Sequence, residues 1–317
     1  MPEDDGPPPE EIILYDKDPE TKIATITFNR PEFLNAPTSA ARLRYADLLH
    51  GATVDDDVKV VVIRGAGDDL GSGADLPEVM KGADSPEFRL TELRVEDQDV
   101  KYPPKGSFRH GATMGAYYAS AQAGNRPLQE LKKISILEVR GYCYGWHFYQ
   151  AGDADLVIAS DDALFGHPSF RYYGWGPRMW TWVQTMGLRK FQEMVFTGRP
   201  FTADEMFQCN FLNKVVPRDQ LEAEVERYAL ACARNRPTDT IFQQKMFFEV
   251  VKQFQGEYMG SLLTAMFESM GGRIQHDAGD LELNDAVERG IGDAVNANDD
   301  KFPPDFRLSK SNRKRDQ

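Results

Sequence analysis

An almost unbroken β-branched run, VKVVVI at residues 58–63, constrains the fold more than any other part of this chain. Such a run is typical of a strand that is buried on both faces of a sheet. Apolar residues at helical spacing precede it at 38–49, and residues 12–15 and 22–28 have the pattern of a strand hairpin. The sequence therefore predicts a strand–helix–strand unit within an α/β fold.

The same alternation returns at residues 134–159, and after Pro217 the pattern becomes almost purely helical. The apolar faces of these last helices exceed what one small subdomain would hide, which indicates either an oligomer interface or packing back on the core. The predicted segments are a disordered acidic tail at 1–11, a core at 12–217 with an insertion near 84–127, a helical subdomain at 218–303 and a basic tail at 304–317.

Charge and cysteine content exclude several classes of partner. The formal net charge of −13 argues against nucleic acid or an anionic membrane surface, since both are bound by clustered Lys and Arg. The three cysteines are far apart and form no CxxC pair, and the acidic, Pro-rich start has no signal-peptide pattern. We therefore expect a reduced, cytoplasmic location and no membrane association. The acidic runs lack the spacing of a metal cage, so no metal is predicted.

Aromatic residues and glycines are concentrated at residues 142–182, which hold all four tryptophans. A second glycine-rich stretch, GAGDDLGSGAD, follows Arg64 and would let backbone amides approach a ligand closely. These two loops are the first candidates for chemistry.

A set of phrases in this order resembles the crotonase family, also called the enoyl-CoA hydratase/isomerase superfamily. They are IATITFNRPEFLNAP, VKVVVIRGAG with SGADL, ISILEVRGYCYGW, ADLVIASDDALFGHPSF and FTGRPFTADEMFQCNFLNKVVP. The resemblance implies an α/β fold built as a spiral of β-β-α repeats, with a helical C-terminal trimerisation region. It also implies a homotrimer or a hexamer of two trimers, and acyl-CoA thioesters as substrates.

The family shares an oxyanion hole made of two backbone N–H groups, which match Ala74 in SGAD and Trp146 in YGW. Such amides hold the thioester oxygen as it gains negative charge in an enolate, and each contributes about 3 to 4 kcal/mol. Trp146 would also stand at a helix start, where unpaired amides favour an anion.

The chain departs from the family where hydratases have two catalytic glutamates, because those positions fall on Tyr149 and Ser169. A tyrosine can donate a proton or a hydrogen bond at pH 7 but is a poor base, and a serine needs a base to activate it. Hydration by a pair of glutamates is therefore not expected. His147 and His167 are further candidates for the base.

Two groups of residues are candidates for binding substrate. The aromatics at loop positions that face the acyl group in relatives predict a broad apolar pocket, with core packing as the alternative; they are Tyr142, Tyr144, Phe170, Tyr173 and Trp175. The segments that usually hold coenzyme A in the family contribute Asn35, Ala36, Gly73, Asp75 and Leu76.

The sequence leaves three functions open. The first is an enzyme that stabilises an enolate of a bulky or cyclic acyl-CoA for hydration, isomerisation or carbon–carbon cleavage. The second is a hydrolase of β-diketones that acts without CoA, and the third is a non-catalytic acyl-CoA-binding homologue. No separate cofactor is expected, since coenzyme A would arrive as part of the substrate.

Overall fold

A six-stranded sheet forms the centre of the computed structural model, which describes residues 7–82, 85–97, 99–172, 174–270, 275 and 290–315. Its strand order is β1-β2-β3-β4-β6-β9; β1 and β2 are antiparallel, and the other neighbours are parallel. The strands of this sheet are β1 Ile13–Asp18, β2 Ile23–Phe28, β3 Val60–Gly65, β4 Ile134–Val139, β6 Leu156–Ser160 and β9 Lys214–Val216.

The β-branched run forms β3, which lies between β2 and β4 and has both faces covered. Its connection to β2 is the helix α2, Ser39–Val54, whose first turn is capped by the Thr38 hydroxyl accepting from the Ala41 N–H at 3.2 Å. The predicted hairpin and strand–helix–strand unit are therefore confirmed, and so is the α/β class.

A second sheet of three short strands stands beside the first and carries the segment richest in aromatics. Its strands are β5 Tyr142–Tyr144, β7 Leu164–Gly166 and β8 Phe201–Thr202, in the order β5-β7-β8. A single parallel bridge between Gly71 and Cys143 ties the loop after β3 to β5.

Helices surround the two sheets. Before β6 they are α1 Pro9–Ile12, α3 Leu76–Gly82, α4 Pro86–Glu92, α5 Phe108–Ala119, α6 Pro127–Glu130 and α7 Trp146–Asp153. After β7 they are α8 Met179–Met186, α9 Leu188–Thr197, α10 Ala203–Gln208, α11 Leu221–Asn235, α12 Thr238–Phe254, α13 Glu257–Glu268, α14 Ile291–Asp299 and α15 Lys310–Lys314. In the part of the chain that is described, no helix has the length and apolar character to cross a membrane.

The helical pattern after Pro217 corresponds to the long helices α11, α12 and α13. Helix α11 covers one face of the large sheet, with Val225 and Ala229 buried against β3, β4 and β6. The predicted insertion near 84–127 contains α4 and α5, and α5 packs along α13.

The described part of the predicted basic tail folds back onto the second sheet. Leu308 and Asn312 are buried, and the Leu308 carbonyl accepts a hydrogen bond from the Tyr144 hydroxyl at 2.8 Å. The tail therefore covers the outer side of β5.

Candidate active site

Two loops meet at the N-terminus of α7. The Gly71 N–H donates to the Tyr142 carbonyl at 2.8 Å, and the Tyr144 N–H donates to the Gly71 carbonyl at 3.0 Å. This pairing brings Gly73 beside Gly145, so that a Cβ on Gly145 would lie 3.1 Å from the Gly73 Cα. Both glycines have positive φ, +118° and +54°. Glycine is required here because a side chain would be strained and would push the loops apart.

The two backbone amides predicted to form the oxyanion hole lie in this meeting point. A Cβ on Gly73 would be 3.7 Å from the Trp146 nitrogen, and Trp146 is the first residue of α7. Within the described ranges, no hydrogen bond is formed by the N–H of Ala74 or of Trp146. The Trp146 ring is buried against Phe28 and Tyr45, so its backbone is held firmly.

His147 fastens the two loops to each other. Its Nδ1 accepts a hydrogen bond from the Gly73 N–H at 3.2 Å, and a Cβ on Gly71 would collide with its ring. The side chain is fully buried, and burial lowers its pKa to about 3. Because Nδ1 accepts, the neutral imidazole carries its proton on Nε2, which has no hydrogen-bond partner. The geometry therefore suits a brace for the Gly73 loop better than a base.

Tyr149 lies one turn further along α7, inside an aromatic cluster. Its ring is 5.5 Å from the His167 ring and 5.7 Å from the Trp182 ring, measured between centroids. Burial, and then the charge of Glu268, raise the pKa of Tyr149 well above its ordinary value. The hydroxyl stays protonated near neutral pH, so it can donate but not act as a base.

His167 has neither ring nitrogen in a hydrogen bond. Phe170 and Trp182 enclose its ring, at centroid distances of 5.1 and 5.5 Å. Burial lowers the pKa of His167 to about 3. The imidazole is therefore neutral and packed as an aromatic side chain.

Ser169 and Trp175, the two other positions singled out in the sequence, are hydrogen-bonded to each other. The Ser169 hydroxyl donates to the Trp175 carbonyl at 2.6 Å. The Trp175 indole N–H donates to the Thr264 carbonyl at 2.9 Å, and its ring packs on Phe267 at 5.1 Å. The loop that holds both residues is therefore attached to the last turns of α13.

Glu268, at the end of α13, is the residue of this region that the sequence did not single out. Its Oε2 is buried without a hydrogen-bond partner, and burial raises the pKa of the carboxyl to about 7. Its charge acts on Tyr149 of α7 and on Tyr118 of α5. Nothing in the sequence marks it, because it lies in an ordinary amphipathic helix far from Tyr149 along the chain.

The residues predicted to bind coenzyme A form two paired strips, 34–37 and 72–75. The Ser72 N–H donates to the Leu34 carbonyl at 2.9 Å, and the Asp75 N–H donates to the Pro37 carbonyl at 3.2 Å.

Several side chains in these strips are engaged within the protein. The Asn35 amide donates to the carbonyls of Ala66 and Asp69, and Asp75 forms an ion pair with Arg30 at 2.6 Å. Ala36 is buried, and Leu76 begins α3. These side chains therefore have structural partners within the protein.

The predicted substrate-binding aromatics do not form one group. The hydroxyls of Tyr142 and Tyr144 are hydrogen-bonded to the backbone of Lys310 and Leu308, under the C-terminal segment. Phe170 is buried among core aromatics, and Tyr173 lies outside the described residues. Trp175 is the member of this set that borders α13. Among the described residues, no three His, Cys, Asp or Glu side chains are grouped as metal ligands would be.

A model of the family described as "Enoyl-CoA hydratase/isomerase" matches residues 106–270, just over half of the chain. The chain belongs to the enoyl-CoA hydratase/isomerase family. The resemblance drawn from its sequence phrases is therefore confirmed.

Two relatives in this family illustrate its range. The chain is 28% identical over 249 residues to "Putative enoyl-CoA hydratase EchA13" of Mycobacterium tuberculosis, covering 71% of this chain and 69% of that protein. It is 27% identical over 224 residues to "Mevalonyl-coenzyme A hydratase sidH" of Aspergillus fumigatus, covering 69% and 72%.

Solved structures of the enoyl-CoA hydratase/isomerase type share the fold. A probable enoyl-CoA hydratase from Mycobacterium thermoresistibile matches with a TM-score of 0.66 and 28% identity, over 82% of this chain and 94% of that chain. An enoyl-CoA hydratase from Mycobacterium smegmatis matches with a TM-score of 0.76 over 94% and 97%, and at 23% identity this shows the fold alone. The predicted crotonase-like fold class is confirmed.

Proposed function

We propose that this protein is an acyl-CoA-processing enzyme that stabilises the enolate of a thioester between the N–H groups of Ala74 and Trp146. The observation that carries the proposal is the close approach of Gly73 to Gly145, which brings two amides without protein acceptors in the described ranges into one site. A thioester oxyanion formed between these two N–H groups accepts the hydrogen bonds that no protein group accepts. The start of α7 adds its partial positive charge.

The reaction begins when a proton leaves the α-carbon of the thioester. The electron pair moves to the carbonyl oxygen, and the two amides hold the resulting charge. Tyr149, protonated and buried one turn along α7, is suited to donate a hydrogen bond to the substrate. Ser169, whose hydroxyl donates to the Trp175 carbonyl, is suited to keep its loop in shape.

We further propose a branched or otherwise bulky acyl group, with coenzyme A as part of the substrate and no separate cofactor. A family relative named as a mevalonyl-CoA hydratase supports a branched acyl chain. The backbone strips at 34–37 and 72–75 are the proposed contacts for the coenzyme A portion.

The test is to incubate the purified protein with branched, cyclic and straight-chain enoyl-CoAs and with matching free β-diketones, and to follow the products by mass spectrometry. We expect conversion of a branched or cyclic thioester. Binding of thioesters without conversion would instead favour a non-catalytic homologue, and cleavage of free diketones would overturn the requirement for coenzyme A.

A further inference from the structure

Every buried carboxylate side chain in the described ranges is matched by a cation. Glu92 pairs with Arg42 at 3.0 Å, and Asp299 pairs with Arg171 at 3.0 Å. The other buried carboxylates with cationic partners are Asp69, Glu138, Asp153 and Glu257. Glu268, which is partly buried at the end of α13, differs because no cation pairs with it within the described ranges, although its Oε2 is buried and accepts no hydrogen bond. A buried carboxyl oxygen without a partner is costly and calls for a reason.

Two glycines of α5 face the end of α13, the helix that carries Glu268. A Cβ on Gly115 would lie 2.8 Å from the Met266 Sδ, and one on Gly111 would lie 3.8 Å from the Ser269 Oγ. Helix α5 can therefore pack closely on the last turns of α13. The charge of Glu268 is then felt by Tyr118 of α5 and Tyr149 of α7.

The same turns of α13 hold the loop that follows the aromatic cluster. Trp175 is bonded to the Thr264 carbonyl and packs on Phe267, next to Glu268. Helix α13 thus holds the Ser169–Trp175 loop beside Glu268, the residue whose charge acts on Tyr149.

We propose that Glu268 is the catalytic base that takes the proton from the α-carbon of the thioester and returns it to carbon; this rests on the proposed function above. The carboxylate oxygen forms an O–H bond as the C–H bond breaks. The C–H electron pair becomes the enolate, with its charge on the thioester oxygen. The reverse transfer restores the carboxylate, so no oxidant or further reactant is needed.

The other titratable groups discussed for this site are not suited to act as the base at neutral pH. The buried histidines His147 and His167 have pKa values lowered to about 3, which makes them weak bases. Tyr118 and Tyr149 have pKa values raised by burial, so they stay protonated. Burial raises the pKa of Glu268 to about 7, close to the value that serves a general base at neutral pH.

The experiment measures deuterium uptake at the α-carbon of 3-methylbutanoyl-CoA in D₂O, by mass spectrometry, for the wild type, Glu268→Gln and Glu268→Asp. Loss of a general base slows the step by about 100-fold or more. We expect that loss in Glu268→Gln, partial recovery in Glu268→Asp, and unchanged thioester binding by calorimetry. The wild-type rate should rise with pH through about 7, and Glu268→Gln should lack this rise.

Glu249→Gln is the matched control, because Glu249 lies on α12 and pairs at the surface with Lys132. It should exchange as the wild type does. If the wild type exchanges and Glu268→Gln keeps its rate, the assignment of Glu268 is overturned while the proposed function stands. If the wild type itself shows no exchange above buffer, both fail. Circular dichroism of each variant verifies folding.

Discussion

At the scale of one residue, burial keeps the His167 imidazole uncharged. Its ring is enclosed by aromatic side chains, and burial lowers its pKa to about 3. Below about pH 6.5 the His167 imidazole therefore binds a proton in the unfolded chain but not in the folded chain. The free energy of unfolding falls as the pH falls from 6.5 toward 3 for this reason. The loss amounts to about 2 kcal/mol at pH 5.

We therefore expect His167→Phe, which keeps a ring and removes the titration, to lose less stability on acidification than the wild type. Urea denaturation at pH 7.5 and pH 5 should show a difference of about 2 kcal/mol between the two losses. His50→Gln is the control, because His50 is exposed, and it should follow the wild type. Equal losses in all three proteins would mean that His167 is protonated in the folded state.

Gly145 carries the second prediction at this scale. Alanine there would have a strained positive φ and would place its Cβ 3.1 Å from the Gly73 Cα, which separates the two amides. Turnover of the best thioester should fall by about 100-fold, the cost of losing one oxyanion donor. Gly187→Ala, at φ +79° with open space around it, imposes similar backbone strain without a contact and should keep full turnover. A fully active Gly145→Ala would remove the oxyanion hole from the mechanism.

Prediction from sequence succeeded where the information is local. The β3 run reports its own burial, so the strand and its place in an α/β fold could be predicted from the residues alone, whereas the meeting of residues 72–74 with Gly145 followed only from the family resemblance. Packing between segments that are far apart in the chain could not be predicted from the sequence. The cover that residues 308–310 place over Tyr142, and the approach of Glu268 to Tyr149, depend on segments far apart in the chain.

At the scale of elements, a buried polar network joins α7, α8 and α13. Arg178 of the loop before α8 is 1% exposed and pairs with Asp153 at the end of α7 and with Glu257 at the start of α13, the latter at 3.5 Å. Thr181 and Ser261 add hydrogen bonds to the same groups. The network fixes α13, and with it the position of Glu268, relative to the helix that starts at Trp146.

Arg178→Met should therefore destabilise the protein strongly, because it leaves two buried carboxylates without their shared cation. Breaking one side of a buried pair costs about 3 to 5 kcal/mol. Arg227→Met removes an exposed partner of Glu224 on α11 and should cost far less, because water screens and solvates both groups. Urea denaturation of both variants at pH 7.5 gives the comparison. Equally small losses of stability in the two variants would show that water or a rearrangement of neighbouring side chains replaces the contacts of Arg178.

At the scale of the whole molecule, α12 and α13 expose a group of large apolar side chains, as contact surfaces do. It is formed by Phe247, Phe248, Phe254, Met259 and Leu263, each more than half exposed. We expect an interface between subunits to cover it.

We predict that the protein sediments as a trimer or hexamer of the 35.8 kDa chain, and that Phe247→Glu with Met259→Glu shifts it toward the monomer. Burying a charge in an apolar contact without a partner is costly, so two such changes should weaken assembly by at least about 100-fold in concentration. Phe196→Glu, on an equally exposed phenylalanine of α9, tests whether any added surface charge has this effect. Sedimentation velocity over a dilution series measures all three proteins. A monomeric wild type, or a double variant that assembles as the wild type does, would assign the α12–α13 face another partner.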